Sequence, residues 1–216
     1  MRQIPFHTAL SEKEFKEIRK ELFELLRALS YEWRDPPFTL KSGALSNFYV
    51  DGRQSSLTPK GSYLIGRLFL WIISAATSAR AIGGLSVGAD PLVSAVLSAA
   101  YLSTANFIDY GFLVRGAGKD HGVAGRLVGG KHIPTGTSVA ICDDVITSGG
   151  SMLEAVHVAR ESSFHVDIAL ALVDRQEQDG LAKIRVEVPK TYALFTKEEF
   201  SSGVLQPLNF LELLDR

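Results

Sequence analysis

Residues 139–151 read Val139-Ala140-Ile141-Cys142-Asp143-Asp144-Val145-Ile146-Thr147-Ser148-Gly149-Gly150-Ser151. The opening Val-Ala-Ile-Cys suits a buried strand, expected over Val139–Cys142, and two adjacent carboxylates follow it. A Thr-Ser-Gly-Gly-Ser turn then opens a helix expected over Ser148–Glu161, with Ser151 and Glu154 at capping-box spacing. In such a turn, unpaired backbone N–H groups, the helix dipole and several hydroxyls converge on one point. Glycines let the backbone approach an anion closely, so the turn is a phosphate cradle. Carboxylates directly beside a phosphate would repel it, unless they grip neutral hydroxyls such as a ribose diol or act through a metal ion. The residues therefore point to a phosphorylated sugar held at both ends of this segment.

Outward from that segment the chain alternates. Strands are expected at Ala79–Ile82, Phe112–Val114 and Val166–Val173, with further candidates at Ile184–Val188 and Tyr192–Phe195. Helices are expected from about Pro59 into the 70s and from Asp90-Pro91 to about Tyr101. Strand–helix alternation predicts an α/β fold, a mostly parallel sheet with helices on both faces. Ligands of such sheets sit beyond the carboxyl ends of the strands, here the turns after Ile82, Val114, Cys142 and Val173. Upstream, Ser11–Trp33 reads as one amphipathic helix, capped by Ser11 with Glu14 and stopped by Asp35-Pro36-Pro37. Two short extended pieces, Phe38–Leu40 and Asn47–Arg53, follow. A single domain over 1–216 is expected, with an N-terminal helix and small hood over about 1–56 and an α/β core over about 57–216.

Composition narrows the function. The 216 residues carry 23 Lys plus Arg and 24 Asp plus Glu, so no basic excess exists to drive nucleic-acid binding. The hydrophobic share of 46% with 22% charged excludes a disordered chain. One cysteine, Cys142, rules out an intramolecular disulfide framework and suits the reducing cytosol. It is expected to be a small buried hydrophobe. The first residues lack the apolar run of a secretory signal, and Tyr63–Ala76, interrupted by Arg67, is too short to span a bilayer. A cytoplasmic protein without membrane or nucleic-acid partners is expected. The five histidines show no metal-ligand spacing.

The 139–151 segment resembles the 5-phosphoribosyl 1-pyrophosphate (PRPP) signature of type I phosphoribosyltransferases. The resemblance implies that Asp143 and Asp144 hold the ribose hydroxyls, and that Val145 to Ser151 receive the 5′-phosphate. Further stretches resemble orotate phosphoribosyltransferases in particular. Phe38-Thr39-Leu40-Lys41-Ser42-Gly43 is similar to that family's N-terminal motif, whose lysine faces the active site. Phe48-Tyr49 falls where the family sets an aromatic pair against orotate, and Asp174-Arg175-Gln176-Glu177 matches the motif whose arginine contacts it. Ala193-Leu194-Phe195-Thr196 resembles the family's C-terminal strand. Lys41, Phe48, Tyr49, Thr147 and Arg175 are thus the implied orotate contacts. Physically, an aromatic pair suits a flat pyrimidine and a planar guanidinium suits its carboxylate.

Arg115-Gly116-Ala117-Gly118-Lys119-Asp120-His121-Gly122 resembles the family's catalytic loop. Six glycines between 116 and 130 argue against a rigid element, and Arg115, Lys119 and His121 concentrate positive charge for the departing pyrophosphate. The resemblance implies a homodimer in which this loop serves the partner's site. It also implies Mg²⁺ carried by PRPP, with no direct protein ligand. Gly116 and Gly88 stand where the family commonly has lysines.

Rival readings have discriminating features. Gly84-Leu85-Ser86-Val87-Gly88 matches the serine-hydrolase elbow, with Asp143 and His157 or His165 as partners, but its helix starts only at Asp90-Pro91. A phosphoribosyltransferase for a purine or uracil would have no carboxylate for Arg175. A non-catalytic PRPP-binding regulator would need an output module, for which the chain offers neither length nor charge.

Overall fold

The structure, a computed structural model, describes residues 10–39, 43, 45–103, 107–116 and 123–208. Helix α1 (Glu12–Leu29) starts in the expected capping box of Ser11 and Glu14 and buries Phe15, Ile18, Leu22 and Leu26. It ends earlier than the sequence suggests, because residues 31–39 pair with the next segment instead. Strands β1 (Tyr31–Thr39) and β2 (Leu45–Val50) form an antiparallel hairpin. Pro36 and Pro37 lie within β1 rather than ending a helix. They occupy the break in register between Trp33 and Phe38, where their missing N–H groups cost no ladder bond.

Helices α2 (Arg53–Ser56) and α3 (Pro59–Ala76) follow, the latter capped by Thr58 with Pro59 at its start. The remaining order is β3 (Ala81–Leu85), α4 (Asp90–Leu102), β4 (Tyr110–Val114), α5 (Val123–Arg126), β5 (Leu127–Val128), β6 (Ser138–Ile146), α6 (Gly150–Glu161), β7 (His165–Asp174), α7 (Gly180–Glu187), β8 (Thr191–Thr196) and α8 (Lys197–Ser202). Six strands form one sheet in the order β5-β4-β3-β6-β7-β8, parallel except for β5.

The pleat sorts the sheet's side chains into two cores. Ala140, Cys142, Ile168, Leu170 and Leu172 face α1, α3 and α4, whereas Val139, Ile141, Ala169 and Ala171 face α6 and α7. Cys142 is fully buried, as expected of a small apolar residue, and burial together with Asp143 pushes its thiol well up. The expected strand Ile184–Val188 is instead part of α7. Its alternation misleads because Ile184 and Val188 are buried four apart, while Val186 is exposed.

One buried ion pair closes the fold. Nη2 of Arg19 on α1 lies 2.5 Å from Oε1 of Glu199 on α8, with side chains 8% and 1% exposed. Arg19 also donates to the carbonyls of Leu194 and Gln206. The carboxylate in turn accepts from the backbone N–H of Thr196 at 2.7 Å and of Gln206 at 2.8 Å.

Candidate active site

The parallel strands deliver their carboxyl ends to one edge, so the turns after β3, β6 and β7 meet there beside the end of β4. Strand β6 runs longer than the sequence suggests. Its pairing with β7 continues to Ile146 opposite Asp174, so the two acids lie inside the strand rather than beyond it. Asp143 is buried and Asp144 half-buried. Burial pushes Asp143 well above the usual carboxylate range, with the neighbouring Asp144 charge adding to it. Burial raises Asp144 too, partly offset by Arg53.

After Ile146 the chain turns through Thr147 and Ser148 to Gly149, whose φ of +81° requires a glycine-like conformation. Gly149, not Ser151, is the N-cap of α6, and no side chain caps it. The expected capping box is therefore absent. Ser151 sits in the first helical turn and Glu154 pairs with Arg126 on α5. The Gly150 N–H donates to Ser148 Oγ at 3.4 Å, and the next N–H groups of this 12-residue helix are left for a ligand. From the far side α7 presses on the turn, and a Cβ at Gly180 would stand 2.3 Å from the Thr147 carbonyl oxygen.

A pocket of about 300 Å³ opens at this point, lined by Asp143, by Val145 through Met152, and by Arg175 and Gln178. Every expected phosphate-turn residue is on its wall. Arg175 joins them because β7 ends beside β6. Its Nη2 donates to the Phe48 carbonyl at 2.9 Å and to Ser46 Oγ at 3.2 Å, and it lies 3.1 Å from Glu177 Oε2. Its Nε is buried with no hydrogen-bond partner among the described residues. Such an orphaned donor is costly unless a ligand satisfies it. Gln176, Gln178 and Asp179 all take positive φ between 52° and 55°, strain concentrated in the turn that carries Arg175.

The hood corrects one expectation. Phe48 is fully buried between Tyr31 and Phe200, so its ring is not available to a ligand; only its carbonyl reaches the site, by way of Arg175. Tyr49 is half-buried, edge-on to Phe38 and capped by the Arg34 guanidinium 3.9 Å from its ring centre. Arg115 is exposed at the end of β4, where its N–H donates to the Arg126 carbonyl at 2.9 Å. Lys41, Lys119 and His121 lie outside the described residues.

Sequence reading missed Gln178 on the pocket wall, and the links that Glu177, itself a candidate partner of Arg175, makes to Ser46 and Lys197. Lys197 reaches Glu177 Oε1 at 3.0 Å. The adjacency of Glu177 to Arg175 was visible, but Ser46 and Lys197 are distant in the chain. The hydrolase alternative fails on geometry. Ser86 Oγ donates to Asp90 at 2.8 Å, His157 pairs with Glu187 between α6 and α7, and His165 starts β7 at the opposite edge of the sheet. Among the described residues no three His, Cys, Asp or Glu side chains form a metal-binding group, and no helix is long and apolar enough to cross a membrane.

A mostly parallel sheet with helices on both faces, an acid pair within the last residues of its central strand and a glycine turn leading into α6 define a type I phosphoribosyltransferase fold. A crystal structure of orotate phosphoribosyltransferase from Mycobacterium tuberculosis superposes with a TM-score of 0.70 at 31% identity, covering 85% of this chain and 98% of that one. A second structure of that enzyme, in complex with PRPP, gives a TM-score of 0.64 at 26% identity over 85% of this chain and 92% of that one. Orotate phosphoribosyltransferase of Aquifex aeolicus is 37% identical over 182 residues, 84% of this chain and 96% of the relative. No protein-family model matches the chain. The chain belongs to the orotate phosphoribosyltransferase family, and it is an enzyme.

Proposed function

We propose that the chain transfers the 5-phosphoribosyl group of PRPP to orotate, giving orotidine 5′-monophosphate and pyrophosphate, the transfer step of de novo pyrimidine synthesis. One observation carries this reading: a pocket that joins a glycine phosphate turn, an acid and the unsatisfied Nε of Arg175. The 5′-phosphate enters the turn at Thr147–Ser151 and accepts from the first N–H groups of α6. The ribose hydroxyls donate to Asp143 and Asp144. Orotate lies against Arg175, whose guanidinium binds its carboxylate, with Tyr49, Lys41 and Thr147 as its further contacts.

The substrate is the Mg²⁺ complex of PRPP, the metal held by the oxygens of PRPP. An oxygen donor set such as Asp143 and Asp144 suits contact with its water shell, and the ion neutralises charge on pyrophosphate. The bond from C1′ to the pyrophosphate oxygen breaks, its electron pair leaving with pyrophosphate, while a ring nitrogen of anionic orotate forms the new bond. No general base is required. The protein contributes positioning and charge stabilisation, the latter from Arg115, Lys119 and His121 on the loop after β4. A cytosolic homodimer in which each loop serves the partner's site completes the reading.

The test is loss of orotate absorbance with PRPP and Mg²⁺, beside parallel reactions with hypoxanthine, guanine, adenine and uracil. Turnover of orotate alone is expected. Turnover of another base alone would replace the assignment, and turnover of none would leave a PRPP-binding regulator.

A further inference from the structure

Two buried, unsatisfied atoms belong to one ion pair. The Nε of Arg175 has no hydrogen-bond partner among the described residues, and neither has Oε2 of Glu177. Nε and Nη2 share one edge of the guanidinium, the edge that a carboxylate grips with two parallel bonds. Glu177 meets only the Nη2 end of that edge, with Oε2 at 3.1 Å and Oε1 at 3.5 Å. A two-pronged grip would satisfy both atoms, and leaving both unpaired in a buried site is costly. Something holds the grip open.

The restraint acts on the other oxygen. Oε1 of Glu177 accepts from Lys197 Nζ at 3.0 Å and from Ser46 Oγ at 3.3 Å. Lys197 is the first residue of α8, and its ammonium stands 5.8 Å from the centre of the Phe48 ring. The Glu198 N–H donates to Gln176 Oε1 at 3.0 Å, so the start of α8 is fastened to the turn that carries Glu177. Ser46 divides its hydroxyl between Glu177 and the Phe48 carbonyl, which leaves the ammonium as the charged restraint. Lys197 itself is not among the described residues that line the phosphate pocket.

Glu177 carries the same group that orotate would offer to Arg175. A carboxylate on the same turn has an effective concentration far above that of a free substrate, so a released Glu177 would close on Nε and shut the site. We propose that Lys197 is a positioning residue: by holding Glu177 back, it keeps the Nε of Arg175 open for the carboxylate of the base. The inference rests on orotate as the base, as proposed above. The charge count fits the same role. Two cations, Arg175 and Lys197, share the one carboxylate of Glu177, and the positive charge left over is one that an anionic base neutralises.

The test is steady-state kinetics of the full chain with Mg²⁺, PRPP and orotate. Lys197→Met should raise KM for orotate about 10-fold or more, while kcat and KM for PRPP change less than about 2-fold. Lys197→Arg keeps a positive charge on Oε1 and should stay within about 3-fold of wild type. Adding Glu177→Gln to Lys197→Met should return KM for orotate to within about 3-fold of Glu177→Gln alone, because a neutral amide competes poorly for the guanidinium. Lys197→Gln serves with the same expectation if the methionine variant does not fold. An unchanged KM for orotate in Lys197→Met would overturn the inference. A double variant no better than Lys197→Met would overturn it as well, since Lys197 would then act on the base directly or only support the fold. Either result beside wild-type turnover of orotate refutes the role of Lys197 alone. A wild-type chain that turns over no orotate refutes the functional reading with it.

Discussion

Nη2 of Arg175 donates to the carbonyl oxygen of Phe48 at 2.9 Å, joining residues 127 apart in the chain. The contact hooks the hairpin of β1 and β2 onto the carboxyl end of β7, and Glu177 holds the same guanidinium edge at 3.1 Å. The Nε of Arg175 is buried without a hydrogen-bond partner among the described residues, and the residue lines the pocket. Arg175→Ala should lower kcat/KM for orotate by about 10- to 150-fold, the equivalent of about 1.5–3 kcal/mol, while KM for PRPP changes little. Glu177→Gln should raise KM for orotate less, because an amide still accepts one hydrogen bond. Steady-state kinetics with each substrate varied in turn checks both.

The acid pair trades stability for binding. Burial raises both folded-state values above the ordinary 3.8, so the native chain holds protons that the unfolded chain releases. The pair's own contribution to stability without ligand is therefore fully present below that ordinary value and is lost as pH rises through the raised ones. Asp143→Asn should remove this decline and melt higher than wild type at neutral pH, while losing most PRPP-dependent turnover. Melting curves from pH 4 to 8 beside activity assays check the pair of effects.

The same shift predicts proton release when PRPP binds, because hydroxyl donors and Mg²⁺ favour the ionised acids. Calorimetry in two buffers of different ionisation enthalpy, repeated from pH 4 upward, should give heats that differ at the lower pH values. Heats identical at every pH would place the diol elsewhere.

Gly180 keeps α7 against the phosphate turn, with no room for a methyl group beside the Thr147 carbonyl. Gly180→Ala should displace the turn and reduce kcat/KM for PRPP by about 10-fold or more, since a shift near 1 Å at a positioning element is costly. Binding of ribose 5-phosphate should weaken in parallel.

Glu199→Ala leaves Arg19 buried without its partner and should destabilise the chain by about 3–5 kcal/mol. Replacing both residues by apolar ones, as in Arg19→Met with Glu199→Leu, should recover much of that loss. Orotate kinetics of the folded variants should match wild type, because neither Arg19 nor Glu199 lines the pocket that holds Asp143.

The shared-loop dimer is tested by mixing Lys119→Ala with Arg175→Ala. Each mixed dimer would hold one intact site, so equal mixing should restore about a quarter of wild-type activity. No recovery with mixed dimers confirmed by mass spectrometry would assign the loop to its own subunit.

What the chain alone determined is local. The capping of α1, the alternation behind the parallel sheet, the acid pair and the glycine phosphate turn all depend on residues within a few positions of one another. The acids and the turn occupy nine consecutive residues, so their juxtaposition was legible before any folding. Tertiary packing decided the rest. Phe48 and Tyr49 are neighbours in the sequence, but pleating sends one ring into the core and leaves the other at the hood surface. Ile184, Val186 and Val188 alternate like a strand, yet only burial against the sheet selects a helix. Strand β6 reaches past its acids because β7 continues beside it. Arg175 acquires Ser46, Glu177 acquires Lys197, and Asp144 acquires Gly52 and Gly88, through contacts between segments far apart in the chain. Such contacts depend on which strand ends share an edge, a property that no local pattern of residues records.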